Sequence, residues 1–229
     1  MSLFRAEHIA VSYVRDGRAV RLFSDVGFKL EGGRICDLVG PSGAGKSTLL
    51  RACALMMERD AGEFFLDGRP ASAFKPAEWR RRVCLVPQQA ALLPGTVRDN
   101  LVLPWTLKVN AGDAPPADEE LARLLDAAEL SDVGLSRDVS QLSGGQAARV
   151  ALLRAFATRP RVLLLDEVDA ALDDASAQAV GRLTRDLVNK DTTCLRIRHR
   201  ASDGFASGTF SLHDGALDYA PVLEAGPRP

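Results

Sequence analysis

The sequence predicts an α/β protein whose core of strands and helices is interrupted by a helical subdomain. Three observations predict this class. An apolar strand at 34–39 leads into a glycine-rich turn and then a helix at 46–58. The stretch from about 89 to 159 is all-helical in pattern. Strands and helices alternate again from 162 onward, and such alternation is typical of a parallel sheet covered by helices.

The remaining elements divide the chain further. Short β-prone runs predict an antiparallel β subdomain and the other core strands. They lie at 11–14, 20–23, 26–30, 62–66, 83–87, 192–197, 209–213 and 217–219. Apolar spacing predicts further helices at 118–129, 144–158 and 174–189. We expect a single domain over 1–229: a core from 1–88 and 160–220, a helical subdomain at 89–159 and a tail at 221–229.

Composition and charge exclude several classes of protein. The chain has 29 Lys and Arg against 30 Asp and Glu, and 46% of its residues are hydrophobic. These values are ordinary for a folded domain and give no basic excess for nucleic acid. No run supplies the ~20 apolar residues of a transmembrane helix, and the first residues lack the layout of a signal peptide. The four cysteines are far apart, which favours buried thiols over metal ligands or disulfides.

A phosphate-binding loop is the first chemical signal. Residues 40–47 fit G-x-x-x-x-G-K-[ST] between a strand and a helix. Glycines let backbone N–H groups surround phosphate oxygens, and the helix N-terminus adds partial positive charge. Lys46 can reach the β- and γ-phosphates, and Ser47 can bind Mg²⁺. The expected nucleotide contacts here are Gly40, Pro41, Ser42, Gly43, Ala44, Gly45, Lys46, Ser47 and Thr48. The alternative is a glycine-rich turn with a capping serine.

Two acids at the end of the apolar strand 162–165 are the second signal. A strand in the centre of a sheet delivers Asp166 beside the phosphate loop, where it would hold Mg²⁺ through water. Glu167 lies one residue further and is placed to polarise an attacking water. The alternative is a buried strand that ends in two solvated acids.

Residues 142–146, Leu-Ser-Gly-Gly-Gln, form a second anion-binding helix N-terminus. Ser143 is a predicted N-cap, and the two glycines expose the first amides of the helix. One phosphate loop already serves a nucleotide, so a second site on a helical insert fits a nucleotide held by another chain. With this pentapeptide, the sequence resembles the ATP-binding subunits of ABC transporters, in which it is the family signature. The expected nucleotide contacts of this segment are Ser143, Gly144, Gly145 and Gln146.

The resemblance extends over roughly 4–219 and implies roles for further residues. Tyr13 matches the aromatic that stacks on adenine. Gln88 matches the glutamine that senses Mg²⁺ and the attacking water, although Gln89 lies beside it. His199 matches the histidine that contacts the γ-phosphate, and residues 171–173 match the loop that crosses the dimer interface.

The resemblance also implies the overall activity and the partners. We expect an ATPase with a P-loop NTPase (RecA-like) core, which works as a head-to-tail homodimer with two ATP molecules between the chains. A separate transmembrane permease would be its partner, so the chain would sit on the cytoplasmic face of the inner membrane.

The sequence departs from the family pattern in three segments. Val168 and Asp169 stand where the family commonly has Pro followed by Thr or Ser. Two alanines follow Gln146 where polar residues are usual. Arg200 follows His199 where an acid is common. None of these changes removes a catalytic group, but the last can alter how His199 is oriented.

A narrower resemblance concerns the transported substrate. The run Asn-Leu-x-x-Pro-Trp at 100–105 is similar to the bacterial Fet-type subunit of iron exporters. The stretch from 92 to 105 is also where the family docks its membrane subunit. Trp105 is either part of that contact or part of the core.

Other classes fit the sequence less well. A GTPase needs N-K-x-D, and 189–192 has Thr192 where the aspartate must be. A P-loop kinase has no use for the segment 142–146. Intact Glu167 argues against an ATPase without turnover. A non-transport ABC ATPase is the remaining alternative, although such proteins typically carry coiled-coil inserts or two ATPase halves. Arg196, Arg198 and Arg200 alternate along one strand face, which suggests an interface patch.

Overall fold

The computed structural model describes residues 2–15, 18–89 and 91–222. The predicted tail lies outside the described residues from 223 onward. The strands, in chain order, are β1 (Ser2–Arg15), β2 (Arg18–Glu31), β3 (Ile35–Val39), β4 (Ala61–Leu66), β5 (Arg69–Pro70), β6 (Val83–Val86), β7 (Val162–Asp166), β8 (Thr193–Ile197), β9 (Gly208–His213) and β10 (Ala216–Pro221). The α-helices are α1 (Lys46–Cys53), α2 (Pro76–Arg82), α3 (Val97–Val102), α4 (Asp118–Ala127), α5 (Gly144–Ala157) and α6 (Asp174–Leu187).

The strands form two sheets, and the predicted α/β class is confirmed. An antiparallel sheet has the order β2-β1-β4-β5, and a six-stranded sheet has the order β10-β9-β3-β8-β7-β6. In the second sheet β9, β3, β8, β7 and β6 are parallel, and β10 is an antiparallel edge strand. The carboxyl ends of β3, β6, β7 and β8 therefore meet at one edge of the sheet, where open α/β sheets bind ligands.

The antiparallel sheet differs from the prediction, because the three short N-terminal strands are two long ones. β1 starts at Ser2, and β2 continues through the expected break near Asp25. The register between β1 and β2 shifts around Ile9, and His8 has a positive φ of 53°. Such bulges interrupt the alternation of apolar and polar residues, so the sequence pattern indicated shorter strands.

Helix α1 ends at Cys53 rather than at Glu58. Leu55 adopts a left-handed φ of 52°, and the amide of Met56 donates to Arg51 O at 2.9 Å. This six-to-one hydrogen bond is the Schellman type of helix end, here without the usual glycine. The apolar spacing that continues to Met57 therefore does not mark a longer helix.

Helix α2 was not predicted from the sequence. Proline at its first position and Glu78 at its third are the available signal, since the carboxylate of Glu78 accepts from the amide of Lys75 at 3.2 Å. Trp79 anchors the helix because its ring is fully buried and its Nε1 donates to Cys53 O at 2.8 Å.

Two apolar cores support these layers. The first lies between the two sheets and includes Phe4, Phe64 and Trp79. The second holds the predicted helical subdomain against β7 through Leu101, Leu121 and other buried leucines. The cysteines of the described residues are unpaired thiols, buried except for the half-buried Cys84. No helix among the described residues is both long and apolar enough to cross a membrane.

Candidate functional site

The loop between β3 and α1 has the backbone of a phosphate-binding loop. Gly40, Gly43 and Gly45 have φ of 148°, 82° and 100°, which favour glycine. A Cβ on Gly40 would lie 2.1 Å from Leu212 O, and one on Gly45 would lie 2.5 Å from Leu22 Cδ2. Conformation favours glycine at all three positions, and space requires it at Gly40 and Gly45 but not at Gly43. Helix α1 begins directly after the loop at Lys46.

Lys46 folds its ammonium group back over this loop. Its Nζ donates to Gly40 O at 2.9 Å and to Pro41 O at 3.0 Å, and the residue is only 6% exposed. Because an ammonium group has three N–H donors, one donor remains for another acceptor. The positive charge is thus buried at the mouth of a loop of backbone amides, which suits an anion.

Ser47 and Asp166 join α1 to the end of β7. The hydroxyl of Ser47 donates to Asp166 Oδ1 at 2.8 Å, and Asp166 is 6% exposed. Mg²⁺ prefers such oxygen donors and takes few of them from nucleotide-binding proteins, because phosphates and waters complete its shell. The described residues hold no cluster of three His, Cys, Asp or Glu that could bind a metal. The Ser47–Asp166 pair therefore fits Mg²⁺ only together with a phosphate ligand.

Glu167 lies at the centre of a polar triad at the sheet edge. His199 Nε2 lies 2.7 Å from its Oε1, and Gln88 Nε2 donates to its Oε2 at 3.2 Å. Glu167 follows β7, His199 follows β8 and Gln88 follows β6. Glu167 has a left-handed φ of 52°, a conformation that six other non-glycine residues of the described ranges also adopt. Gln88, rather than its neighbour Gln89, makes this contact.

The signature segment at 142–146 forms the predicted helix N-terminus. Ser143 Oγ accepts from the amide of Gln146 at 3.2 Å, and Gln146 Oε1 accepts from the amide of Ser143 at 3.0 Å. This capping box fixes the first turn of α5. Gly145 is buried against Ser176 of α6, and Gly144 is exposed. Over the described ranges, no hydrogen bond or ion pair joins this segment to the phosphate loop or to Glu167.

Tyr13 stands apart from the other predicted contacts. It lies opposite Val20 in the β1–β2 pairing, with 42% of its surface exposed. Leu22, two residues further along β2, packs on Gly45. Tyr13 is therefore exposed at the end of the antiparallel sheet that borders the phosphate loop.

The arginines at 196, 198 and 200 do not form the expected interface patch. The side chain of Arg196 is 4% exposed, with its Nε 2.6 Å from Asp37 Oδ1 and its two terminal nitrogens on Asp203. Burial raises the pKa of Asp203, but the hydrogen bonds and charge of Arg196 outweigh burial and hold that pKa below its usual value. The sequence pattern did not reveal this network because Asp37 lies 159 positions before Arg196, and Asp203, although near in sequence, follows the strand after an irregular segment.

A groove lies where the helical subdomain meets β6. Its volume is about 610 Å³, and its lining is mainly apolar, with Leu85, Leu93, Leu103 and Leu107 among the contributors. Leu93 and Leu107 are half exposed. Trp105 lines a separate, more polar cavity of about 570 Å³ with Pro115 and Arg161.

Comparison with known proteins identifies the family. The family described as "ABC transporter" matches residues 23–170, more than half of the chain. The putative ABC transporter ATP-binding protein YjkB of Bacillus subtilis is 37% identical over 209 residues, which cover 90% of this chain and 81% of that protein. The chain belongs to the ABC transporter family. It is an ABC ATPase, with the ATP-binding cassette fold.

Other ABC relatives differ in the substrates that their names give. The probable iron export ATP-binding protein FetA of Escherichia coli is 32% identical, with 71% of each chain covered. The methionine import ATP-binding protein MetN of Thermobifida fusca is 39% identical over 82% of this chain and 59% of that protein. The chain spans only 13% of the ABC-type transporter atr1 of Mycosarcoma maydis.

A solved ABC structure shares the fold. The ATP-binding cassette MJ0796, described as dimeric and bound to ADP and phosphate, superimposes with a TM-score of 0.80. The two sequences are 24% identical, and the match covers 95% of this chain and 98% of that one.

Proposed function

We propose that this chain binds and hydrolyses ATP to power an ABC transporter through a separate membrane subunit. The observation that carries the proposal is the triad at the sheet edge, in which Gln88 and His199 hold the Glu167 carboxylate beside the Ser47–Asp166 pair.

Nucleotide binding would use the loop and its flanking side chains. Backbone amides at 40–48 and the Lys46 ammonium would hold the phosphates, and Tyr13 would stack on adenine. Ser47, Asp166 and Gln88 would hold Mg²⁺, which when bound neutralises phosphate charge. On binding, the Lys46 ammonium would leave the carbonyls of Gly40 and Pro41 and donate to a phosphate instead. The phosphate is a charged acceptor, so the hydrogen bonds of Lys46 would become stronger.

Hydrolysis would depend on Glu167. Its carboxylate would accept a hydrogen bond from the attacking water and orient it toward the γ-phosphate. His199, which also contacts the Glu167 carboxylate, would contact the γ-phosphate. The two contacts to His199 and Gln88 limit the rotamers of Glu167. The entropy cost of fixing this side chain when the nucleotide binds is therefore smaller.

The signature segment would act on a second copy of the chain. In the described part it makes no polar contact with the phosphate loop of its own chain, whereas its helix N-terminus, with Gly144 exposed, suits an anion. Ser143 to Gln146 of one chain would therefore close over ATP held by the other, in a head-to-tail homodimer. ATP contacts both chains and favours the closed state, and loss of the γ-phosphate would open it.

The apolar groove beside β6 would receive the membrane subunit. It borders Pro87, directly before Gln88, so a partner seated there would be linked to the triad. Trp105 lines the neighbouring cavity, and its contribution to docking remains a separate hypothesis. This arrangement would place the chain on the cytoplasmic face of the inner membrane.

The substrate would be a metal, iron in particular, moved outward. The run at 100–105 and the relative named for iron export support this proposal. The similarity to a methionine importer supports the alternative of another substrate, and a non-transport ABC ATPase is the other alternative. Co-purification from membranes separates a transporter subunit from a non-transport ATPase. A multi-span partner supports transport, and its absence supports the non-transport alternative.

The central experiment is Glu167→Gln. The variant should bind ATP but hydrolyse it at least ~10²-fold more slowly, because the carboxylate that orients water is lost. Gel filtration should show a dimer only with ATP. Glu120→Gln, which removes an exposed carboxylate paired with Arg159, is the control and should behave as wild type. Normal turnover by Glu167→Gln would refute the proposed role.

A further inference from the structure

We infer that Arg198 and Arg200 are positioning residues that fix His199 against Glu167. They flank His199 on both sides, and both bind the turn that follows Glu167. This inference rests on the proposed ATPase function and names the parts of the chain that hold its triad together.

Arg198 joins the turn after Glu167 to the end of β8 through buried contacts. Its Nε donates to Asp169 Oδ2 at 2.9 Å, and a terminal nitrogen lies 2.8 Å from Asp203 Oδ2. Exposure of all three side chains is 8% or less. Asp169 is two residues after Glu167, and Arg198 is one residue before His199. A buried ion pair in this place restrains the distance between the two backbones that carry the triad.

Arg200 joins the same turn to the end of β8 nearer the protein surface. Its Nε donates to Asp169 O at 3.2 Å, and a terminal nitrogen donates to Leu172 O. The other terminal nitrogen lies 2.6 Å from Asp174 Oδ1, which is almost fully exposed. The planar guanidinium group thus spans the whole turn from Asp169 to the start of α6, a geometry that lysine cannot reproduce.

The turn needs such restraint because its own hydrogen bonds are few. Glu167 is in the left-handed region, a conformation that persists only where surrounding contacts determine it. Within the turn, the amide of Ala170 donates to Glu167 O at 3.0 Å, and that of Leu172 donates to Asp169 O at 3.3 Å. The contacts of Arg200 to the carbonyl oxygens of Asp169 and Leu172 supply further restraint.

Two departures from the family pattern meet in this cluster. Asp169 stands where Thr or Ser is common, and Arg200 stands where an acid is common. In this chain Asp169 takes an ion pair from Arg198 and a backbone contact from Arg200. The Asp169 carboxylate is therefore paired with Arg198, whereas Arg200 binds the backbone carbonyl of Asp169 and pairs with Asp174.

The test compares Arg200→Gln with Arg161→Gln. Arg161 has a matched exposure of 29% against 27%, and it also contacts two segments, through Asp67 and Asp191. It lies at the other end of β7. Arg200→Gln should lower kcat for ATP by roughly 10- to 100-fold, as a small misplacement of reacting groups does, with KM changed less than twofold. Arg161→Gln should leave kcat unchanged, and Arg200→Lys should lie between Arg200→Gln and wild type.

A double variant tests whether Arg200 acts through His199. In a His199→Ala background, Arg200→Gln should lower kcat by a smaller factor than it does in the wild-type background, because only its restraint on the turn after Glu167 is then lost. Full additivity of the two losses would overturn the inference.

Hydrogen exchange provides a readout that does not need turnover. The amides of Glu167, Ala170 and Leu172 should exchange faster in Arg200→Gln and not in Arg161→Gln. Unchanged exchange, or an unchanged kcat, would overturn the inference while leaving the proposed function intact. A wild-type chain without ATPase activity would instead refute the proposed function, and exchange alone would then decide whether Arg200 holds the turn.

Discussion

The two signature glycines differ in the space beside them, and this gives a prediction that separates packing from function. A Cβ on Gly145 would lie 2.4 Å from Ser176 Oγ and 2.7 Å from Ser176 Cβ, whereas one on Gly144 would lie 4.0 Å from Leu172 Cδ2. Ordinary carbon contacts are ~3.5–4.0 Å. Gly145→Ala therefore requires α5 and α6 to separate by about 1 Å, and Gly144→Ala requires no movement.

The magnitude follows from the comparison of the two variants. Both gain the same intrinsic helix propensity, so their difference isolates the clash, which should be about 1–3 kcal/mol. For a chain of this size that corresponds to a melting temperature roughly 2–12 °C lower for Gly145→Ala. Thermal unfolding followed by circular dichroism measures it. ATP turnover should fall in both variants, since both side chains would stand at the helix N-terminus proposed to bind the nucleotide.

Second-site variants identify the clashing atoms. Ser176→Gly removes both atoms and should recover most of the lost stability in a Gly145→Ala background. Ser176→Ala removes only Oγ and should recover less, because Cβ stays 2.7 Å away. Equal melting temperatures for Gly144→Ala and Gly145→Ala would refute the packing argument.

Other perturbations give further predictions. Lys46→Ala should abolish ATP binding measured by calorimetry, and unchanged ATPase kinetics would contradict the phosphate-loop assignment. Arg196→Met leaves the buried carboxylate of Asp37 without its partner and removes one of the two arginines paired with Asp203, which should cost about 3–5 kcal/mol in chemical denaturation; a loss under 1 kcal/mol would show that the network is dispensable. Because the pKa of Asp203 is lowered on folding, its stabilising contribution should be complete above about pH 4 and decline as the pH falls further; urea unfolding of Asp203→Asn should lack that decline. Burial raises the thiol pKa values, so the four cysteines should react with a thiol reagent at pH 8 only after unfolding.

Local patterns in the sequence predicted those parts of the site that are built from consecutive residues. The phosphate loop, the acids that end β7 and the cap at Ser143 each lie within about eight positions, where spacing determines geometry. The C-terminal end of α1 and the bulges of β1 were missed, because a left-handed Leu55 and the register shift near Ile9 depend on tertiary packing. Helix α2 carried a recognisable signal in its proline and Glu78 that the strand-oriented interpretation overlooked.

The alternating arginines show that residue spacing predicts which side chains share a face of a strand, but not whether that face is buried or exposed. Alternation in a strand states only that Arg196 and its successors at 198 and 200 share a side. That side is protein rather than solvent because Asp37 comes from a strand 159 positions earlier and Asp169 from the turn after β7. A buried charge is tolerated only when it is paired, so the stability of each arginine depends on its acid partner. The overall charge of −1 conceals this, since ion pairs beside the triad cancel in the sum. Asp169→Thr alone should therefore lower the free energy of unfolding more than the double variant Asp169→Thr/Arg198→Met, because the single change leaves Arg198 without this partner. A larger loss in the double variant would show that the two residues do not act as a pair.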